Sequence, residues 1–270
     1  MTFFLYLSAG FLVGLYGTMI GAGGGFVLVP FLLFLYPAKN TDFITGVSLA
    51  VVFFNALSGT IAYTRMRRVH YRSGLIFTST AIPGAIIGAY SSSLIPRKIF
   101  DPLFGVLLII AALFLIIKPD YKGHEARCSP RFLMACQLTE KNGKTYCFSY
   151  NTLLGMTLSF LVGFVSSLFG IGGGIIHVPI LIYLLNFPTH IATATSHFIL
   201  AVTTGTATLV HAFSGTLKEG IHLIIPLALG TFLGAPLGAM VSSRIKSRNI
   251  IRALAVALIF VGIRTIVGAI

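Results

Sequence analysis

Residues 10–36 read GFLVGLYGTMIGAGGGFVLVPFLLFLY, and residues 159–185 read SFLVGFVSSLFGIGGGIIHVPILIYLL. At a constant offset of 149 the two stretches share 12 of 27 positions, among them Gly21/Gly170, the triplets Gly23–Gly25 and Gly172–Gly174, and Pro30/Pro179. The correspondence continues with small changes of offset. Ser58-Gly59-Thr60 aligns with Thr204-Gly205-Thr206, and Gly74, Gly84 and Gly88 align with Gly220, Gly230 and Gly234. Self-similarity on this scale marks a duplication. The chain is therefore expected to hold two membrane repeats, 1–117 and 149–270, joined by a polar linker, 118–148.

The membrane assignment comes from where charge is missing. Of 270 residues, 56% are apolar and 9% charged, against about a quarter charged in a soluble protein. Residues 1–38, 43–64, 73–96, 145–217 and 220–243 contain no Asp, Glu, Lys or Arg, and about 20 such residues suffice to cross a bilayer. Nucleic-acid binding is excluded despite the net charge of +13, because no soluble domain is left to carry it. The amino terminus lacks the positive region of a removable signal peptide. Cys128, Cys136 and Cys147 all lie in the linker, an odd set that argues against a disulfide framework.

Hydropathy divides each repeat into four apolar segments: 3–36, 43–64, 74–95 and 102–117, then 149–187, 191–212, 221–243 and 253–270. The first of each set is too long for one span and is interrupted by its glycines, so it is expected to form two unequal half-helices. Three spanning helices follow in each repeat. Loop charge sets the orientation. Residues 65–73 carry +4 and so do residues 243–252, but their counterparts in the other repeat carry 0 and +1. Positive loops stay in the cytoplasm. A bias displaced by one loop between repeats predicts an all-α polytopic fold of inverted-topology repeats in the cell membrane. The linker (+3) is then cytoplasmic and both termini are outside.

The glycine clusters Gly21-Ala-Gly-Gly-Gly25 and Gly170-Ile-Gly-Gly-Gly174 are the sharpest candidates for a site. Consecutive glycines let backbone N–H groups converge, and the half-helix beyond adds its positive end, both favourable to an anion. Broken helices of this kind build the midplane site of transporters made from inverted repeats. Close helix packing alone is the competing reading. The paired G-x-G-G-G-x4-P blocks, Gly21–Pro30 and Gly170–Pro179, resemble the signature of the sulfite exporter TauE/SafE family of membrane anion transporters. The resemblance covers nearly the whole chain outside 118–148. It implies secondary transport, in the export direction, of a small sulfur-containing anion such as sulfite, sulfoacetate or another organosulfonate. A non-sulfur organic anion, or an anion channel or sensor, are the alternatives.

Substrate contacts are expected from Gly23, Gly24, Gly25, Gly172, Gly173 and Gly174, and from donors that match across the repeat. Those donors are Ser48 with Ser196 and Asn55 with Thr203, both at an offset of 148. Hydroxyls also bond their own helix, which is the ordinary explanation for any one of them. His177 and His197 lie in uncharged segments, where an ionisable residue is a functional candidate. His211, close to a segment end, reads as a histidine bonded between helices, and Arg264 as a snorkelling side chain. Gly84, Gly88, Gly230, Gly234 and Gly238 read as packing stripes, and Asn142-Gly143 as a hairpin turn. No metal site, cofactor or enzymatic nucleophile is expected. The expected partners are the small anion and the lipid bilayer, with a homodimer left open.

Overall fold

The computed structural model describes residues 2–117, 134–141, 143, 145–242, 255–256 and 258–263. In the first repeat α1 (Thr2–Ile20) stops at the glycine cluster and α2 (Gly25–Leu35) starts beyond it. Then come α3 (Thr41–Arg65), α4 (Tyr71–Ser92) and α5 (Arg97–Ile117). Two antiparallel strands, β1 (Met134–Thr139) and β2 (Thr145–Tyr150), fall largely in the linker. The second repeat follows as α6 (Thr152–Leu168), α7 (Gly174–Pro179), α8 (Thr189–Phe213) and α9 (Leu217–Ser242). Residues 255–256 and 258–263 are helical too, while Arg264, Cys128 and the loop 243–252 lie outside the described residues.

The half-helices have the unequal lengths expected of them, 19 and 11 residues in the first repeat. α7 runs on into a π-helical turn, Ile180–Leu184. Pro179 immediately before it cannot donate to the preceding turn, and a wider ladder follows. Among the described residues, α1, α3, α4 and α9 are long and apolar enough to cross a membrane. Large apolar side chains such as Phe34, Leu94, Phe213 and Leu229 are exposed on the outside of the bundle. An apolar exterior of this kind suits acyl chains and would be a liability in water.

The repeats are interlocked rather than side by side. α3 packs on α8 at the centre, α1 lies along α9 and α6 lies along α4, so each first half-helix pairs with the other repeat. The glycine stripes make this possible. A Cβ on Gly230, Gly234 or Gly238 would strike the carbonyls of Leu7, Phe11 and Leu15, and one on Gly84 or Gly88 those of Phe160 and Phe164. Without a hydrophobic drive between helices in lipid, such close backbone approach supplies the association. These glycines serve packing, as their spacing suggests.

The loops gather at two ends. At one, the loop 66–70 meets the hairpin, whose turn places Gly143 at φ +82° and pairs Cys136 with Phe148 and Gln137 with Cys147. Phe148 and Tyr150 are buried, their rings 4.4 Å and 5.2 Å from Phe187. Arg68 and Glu140 form a buried ion pair at 3.1 Å. His70 caps α4, its Nδ1 accepting from the Ser73 N–H at 3.3 Å. Burial, and after it the charge of Arg72, holds the His70 imidazole below its ordinary 6.5. The unfolded chain therefore binds more protons than the folded one in acid, and stability present above that value is lost as pH falls. Thermal melts should show Tm dropping below about pH 6.5. His70→Asn keeps a side-chain cap and should flatten that part of the drop; an unchanged profile would refute the assignment.

Candidate functional site

The two glycine clusters meet at the centre of the bundle. Gly21, Gly23 and Gly24 take φ of +89°, +76° and +81°, and Gly170, Gly172 and Gly173 take +72°, +82° and +95°. Only glycine adopts this region freely. The intervening Ala22 and Ile171 have no positive φ, which is why that one position tolerates a side chain. The last glycine of each cluster is already helical and is required for a different reason. A Cβ on Gly25 would lie 2.6 Å from the Ile171 carbonyl, and one on Gly174 would strike the Gly21 carbonyl. The clusters thus touch backbone to backbone.

Each cluster is held by the other repeat. Ser48 Oγ donates to the Gly170 carbonyl at 2.7 Å, and Ser196 Oγ donates to the Gly21 carbonyl at 3.5 Å. Within the first repeat, Asn55 Nδ2 adds a bond to the Gly23 carbonyl at 2.8 Å. The N–H groups of Gly21, Ala22 and Gly23 all turn back onto the Gly17 carbonyl, at 3.0, 2.9 and 3.1 Å. The ladder of α2 begins with Val27 N–H to Gly24 O at 3.1 Å, and that of α7 with Ile176 N–H to Gly173 O at 3.0 Å. The N–H groups of Gly25 and Phe26, and of Gly174 and Ile175, precede these first bonds. Among the described residues they have no backbone partner, like the first N–H groups of any helix.

The remaining candidates divide. Thr203 Oγ1 bonds its own helix, at 3.0 Å to Ile199 O and 3.2 Å to Leu200 O. His177 Nε2 lies 3.1 Å from Ser159 Oγ, sealed between α7 and α6. His197 Nε2 lies 3.4 Å from Thr18 Oγ1, with the Tyr63 ring edge-on at 5.4 Å. Thr18 Oγ1 also donates to Asn55 Oδ1 at 2.9 Å, and Tyr63 Oη donates to the Thr18 carbonyl at 2.8 Å. Thr18, Asn55, Tyr63 and His197 therefore form one buried polar network beside the first cluster. Neither Thr18 nor Tyr63 stands out in the sequence, although Thr18 aligns with Ser167 across the repeat. The second cluster lacks the network, since the positions matching Asn55 and His197 are Thr203 and Leu49.

His211 is bonded between helices, as its position suggests, and its partner is an acid. Its Nδ1 lies 3.0 Å from Asp42 Oδ1, in the first turn of α3. That carboxylate belongs to the other repeat and is remote in sequence. Among the described residues no three His, Cys, Asp or Glu side chains group as metal ligands.

The chain matches the family described as sulfite exporter TauE/SafE over residues 6–265. It belongs to this family. This TauE/SafE protein is 34% identical to the probable membrane transporter protein YunE of Bacillus subtilis (strain 168), over 98% of each chain. It is 26% identical to a probable membrane transporter protein of Methanocaldococcus jannaschii, over 91% of this chain and 88% of that one. A third relative with the same description, from Xylella fastidiosa (strain Temecula1), is 27% identical over 89% of this chain and 85% of its own. No solved structure matches the chain. The TauE/SafE protein is thus a multi-pass membrane transporter and not an enzyme, with its glycine clusters at the point where the two halves touch.

Proposed function

We propose that the protein is a secondary transporter that exports a small sulfur-containing anion, such as sulfite, sulfoacetate or another organosulfonate. It works by alternating access around a midplane site at the paired clusters. The observation that carries this reading is the meeting of two helix starts at one buried point, their first N–H groups ahead of the hydrogen-bond ladder. The positive ends of α2 and α7 favour an anion there. Ser48, Ser196 and Asn55 occupy carbonyl oxygens that would otherwise repel it. No Asp or Glu lies within residues 43–100 or 145–218; Asp42 and Glu219 stand on the first turns of α3 and α9, so the stretches of helix around the site hold no competing negative charge.

The inverted arrangement of the repeats is part of the proposal. The loop 66–70 and the hairpin share one end, and the turns before α3, α5 and α9 share the other. That grouping fits the side to which their charge assigns them. The test is flux into liposomes with sulfite, sulfoacetate, thiosulfate and a carboxylate control, with and without a pH gradient. Saturable movement of sulfite or the sulfonate above the carboxylate is the expected result. Movement of the carboxylate alone would overturn the substrate class, and ohmic single-channel currents would overturn alternating access.

A further inference from the structure

The end of the bundle opposite the hairpin carries a charge arrangement that the anion site does not use. Asp42, on the first turn of α3, accepts from Thr216 Oγ1 at 2.5 Å and from Ser92 Oγ at 3.2 Å, and pairs with His211 at 3.0 Å. One carboxylate thereby ties α3 to the end of α4, the last turn of α8 and the turn into α9, across both repeats. The His211 side chain is 1% exposed and that of Asp42 is 21% exposed. Among the described residues His211 Nε2 has no hydrogen-bond partner. A cavity of about 480 Å³ lined by Lys39, Asp42, Thr216 and Glu219 opens beside the pair.

Four of the other charges at this end are paired with one another. Lys39, on the loop before α3, pairs with Glu219 of α9 at 2.7 Å, and both are exposed. Arg97, at the start of α5, pairs with Asp101 at 3.4 Å and donates to the carbonyls of Leu33 and Tyr36 at the end of α2. Lys218 stands beside Glu219 on the α9 turn. His177 and His197, in contrast, have hydroxyl neighbours and, among the described residues, no acid with which to share a proton, and charging either would place an uncompensated ion in a dry core.

We propose that the Asp42–His211 pair is a proton-binding latch that couples pH to the opening of this end of the transporter. With His211 protonated and Asp42 ionised, the attraction holds α3, α4 and the α8–α9 turn together. Loss of the proton leaves a neutral imidazole, removes that attraction and lets the end part to admit or release the anion. The latch acts on the transport cycle of the proposed function and so rests on that reading.

The experiment is counterflow of labelled sulfoacetate in liposomes held at equal pH on both faces, from about pH 5.5 to 8, where an imidazole changes charge. A sulfonate is used because it does not titrate in this window. Wild-type exchange should slow about tenfold toward the acid end, the scale of an ordinary coupling energy. Asp42→Asn and His211→Gln should still exchange, with profiles flat to within about twofold. Thr216→Val leaves the pair in place and should keep the wild-type profile. A wild-type profile in both pair variants overturns the latch. If the wild type exchanges no sulfoacetate, the transport reading fails separately and the latch is judged on thermal unfolding in detergent. Both proteins share the acid loss from His70, so the Tm of the wild type must then rise relative to that of Asp42→Asn as pH falls, and a constant difference overturns the latch as well.

Discussion

Replacing Gly25 or Gly174 by alanine is expected to abolish anion exchange, with a fall of at least about a hundredfold, the cost of misplacing a site by an ångström. The added methyl would meet the Ile171 carbonyl in one case and the Gly21 carbonyl in the other. Backbone cannot rotate away as a side chain can, so the two clusters must separate. Overpacking of this kind costs about 1–3 kcal/mol where neighbours can adjust, and more where they cannot. Gly23→Ala makes a useful contrast. It places alanine at φ +76° and presses on Leu200 Cδ2, the flexible end of a side chain. Leu200→Ala should recover part of its activity and none of that lost by Gly25→Ala. Ile171→Val, at the position with an ordinary backbone, should stay within about twofold of the wild type, since it removes one methylene. Wild-type flux in both Gly25→Ala and Gly174→Ala, with normal expression and Tm, would remove the clusters from the site.

Glu140→Ala should release the linker hairpin from the bundle. Arg68 and Glu140 are 8% and 4% exposed, so losing the acid leaves a buried guanidinium without a counter-charge. Breaking such a pair costs about 3–5 kcal/mol, whereas replacing both partners by apolar groups is often neutral. Glu140→Ala should therefore undock the hairpin, and the double variant Arg68→Met/Glu140→Met should restore it. Cys136 reports on this directly. Its side chain is buried and burial pushes its thiol above the usual range, so it should resist alkylation in the wild type. In a Cys128→Ser/Cys147→Ser background, Glu140→Ala should make Cys136 react as an exposed thiol does. Continued protection of Cys136 would show that aromatic packing around Phe148 and Tyr150 holds the hairpin without the ion pair.

Local chemistry was readable where a residue type has a single physical use. Three consecutive glycines break a helix, and α1 ends and α2 begins at Gly21–Gly25 as expected. Glycines four apart mark a close helix contact, and Gly230, Gly234 and Gly238 lie against backbone carbonyls of α1. Asn142-Gly143 marks a hairpin, and β1 and β2 pair across it. Hydroxyls and histidines were ambiguous because their role depends on what faces them. Ser48 and Thr203 are both matched polar residues on long helices, yet Ser48 reaches the opposite cluster and Thr203 bonds its own helix. His211, the membrane histidine nearest a segment end, is the one of the three that meets an acid.

The sequence by itself determined that the chain is a duplicated membrane protein, broken at two glycine clusters and free of acids through its apolar segments. These properties follow from composition and repeat spacing, which need no knowledge of neighbours. Only the tertiary structure decided that each repeat holds the other's cluster, that Thr18, Asn55, Tyr63 and His197 share one network, and that Asp42 and His211 pair. Those contacts join residues 37 to 179 positions apart, on helices whose mutual order is set by glycine-to-backbone packing. A hydrogen bond forms only when its two atoms come within about 3–3.5 Å, and no local pattern in either helix records which partner the packing will bring there.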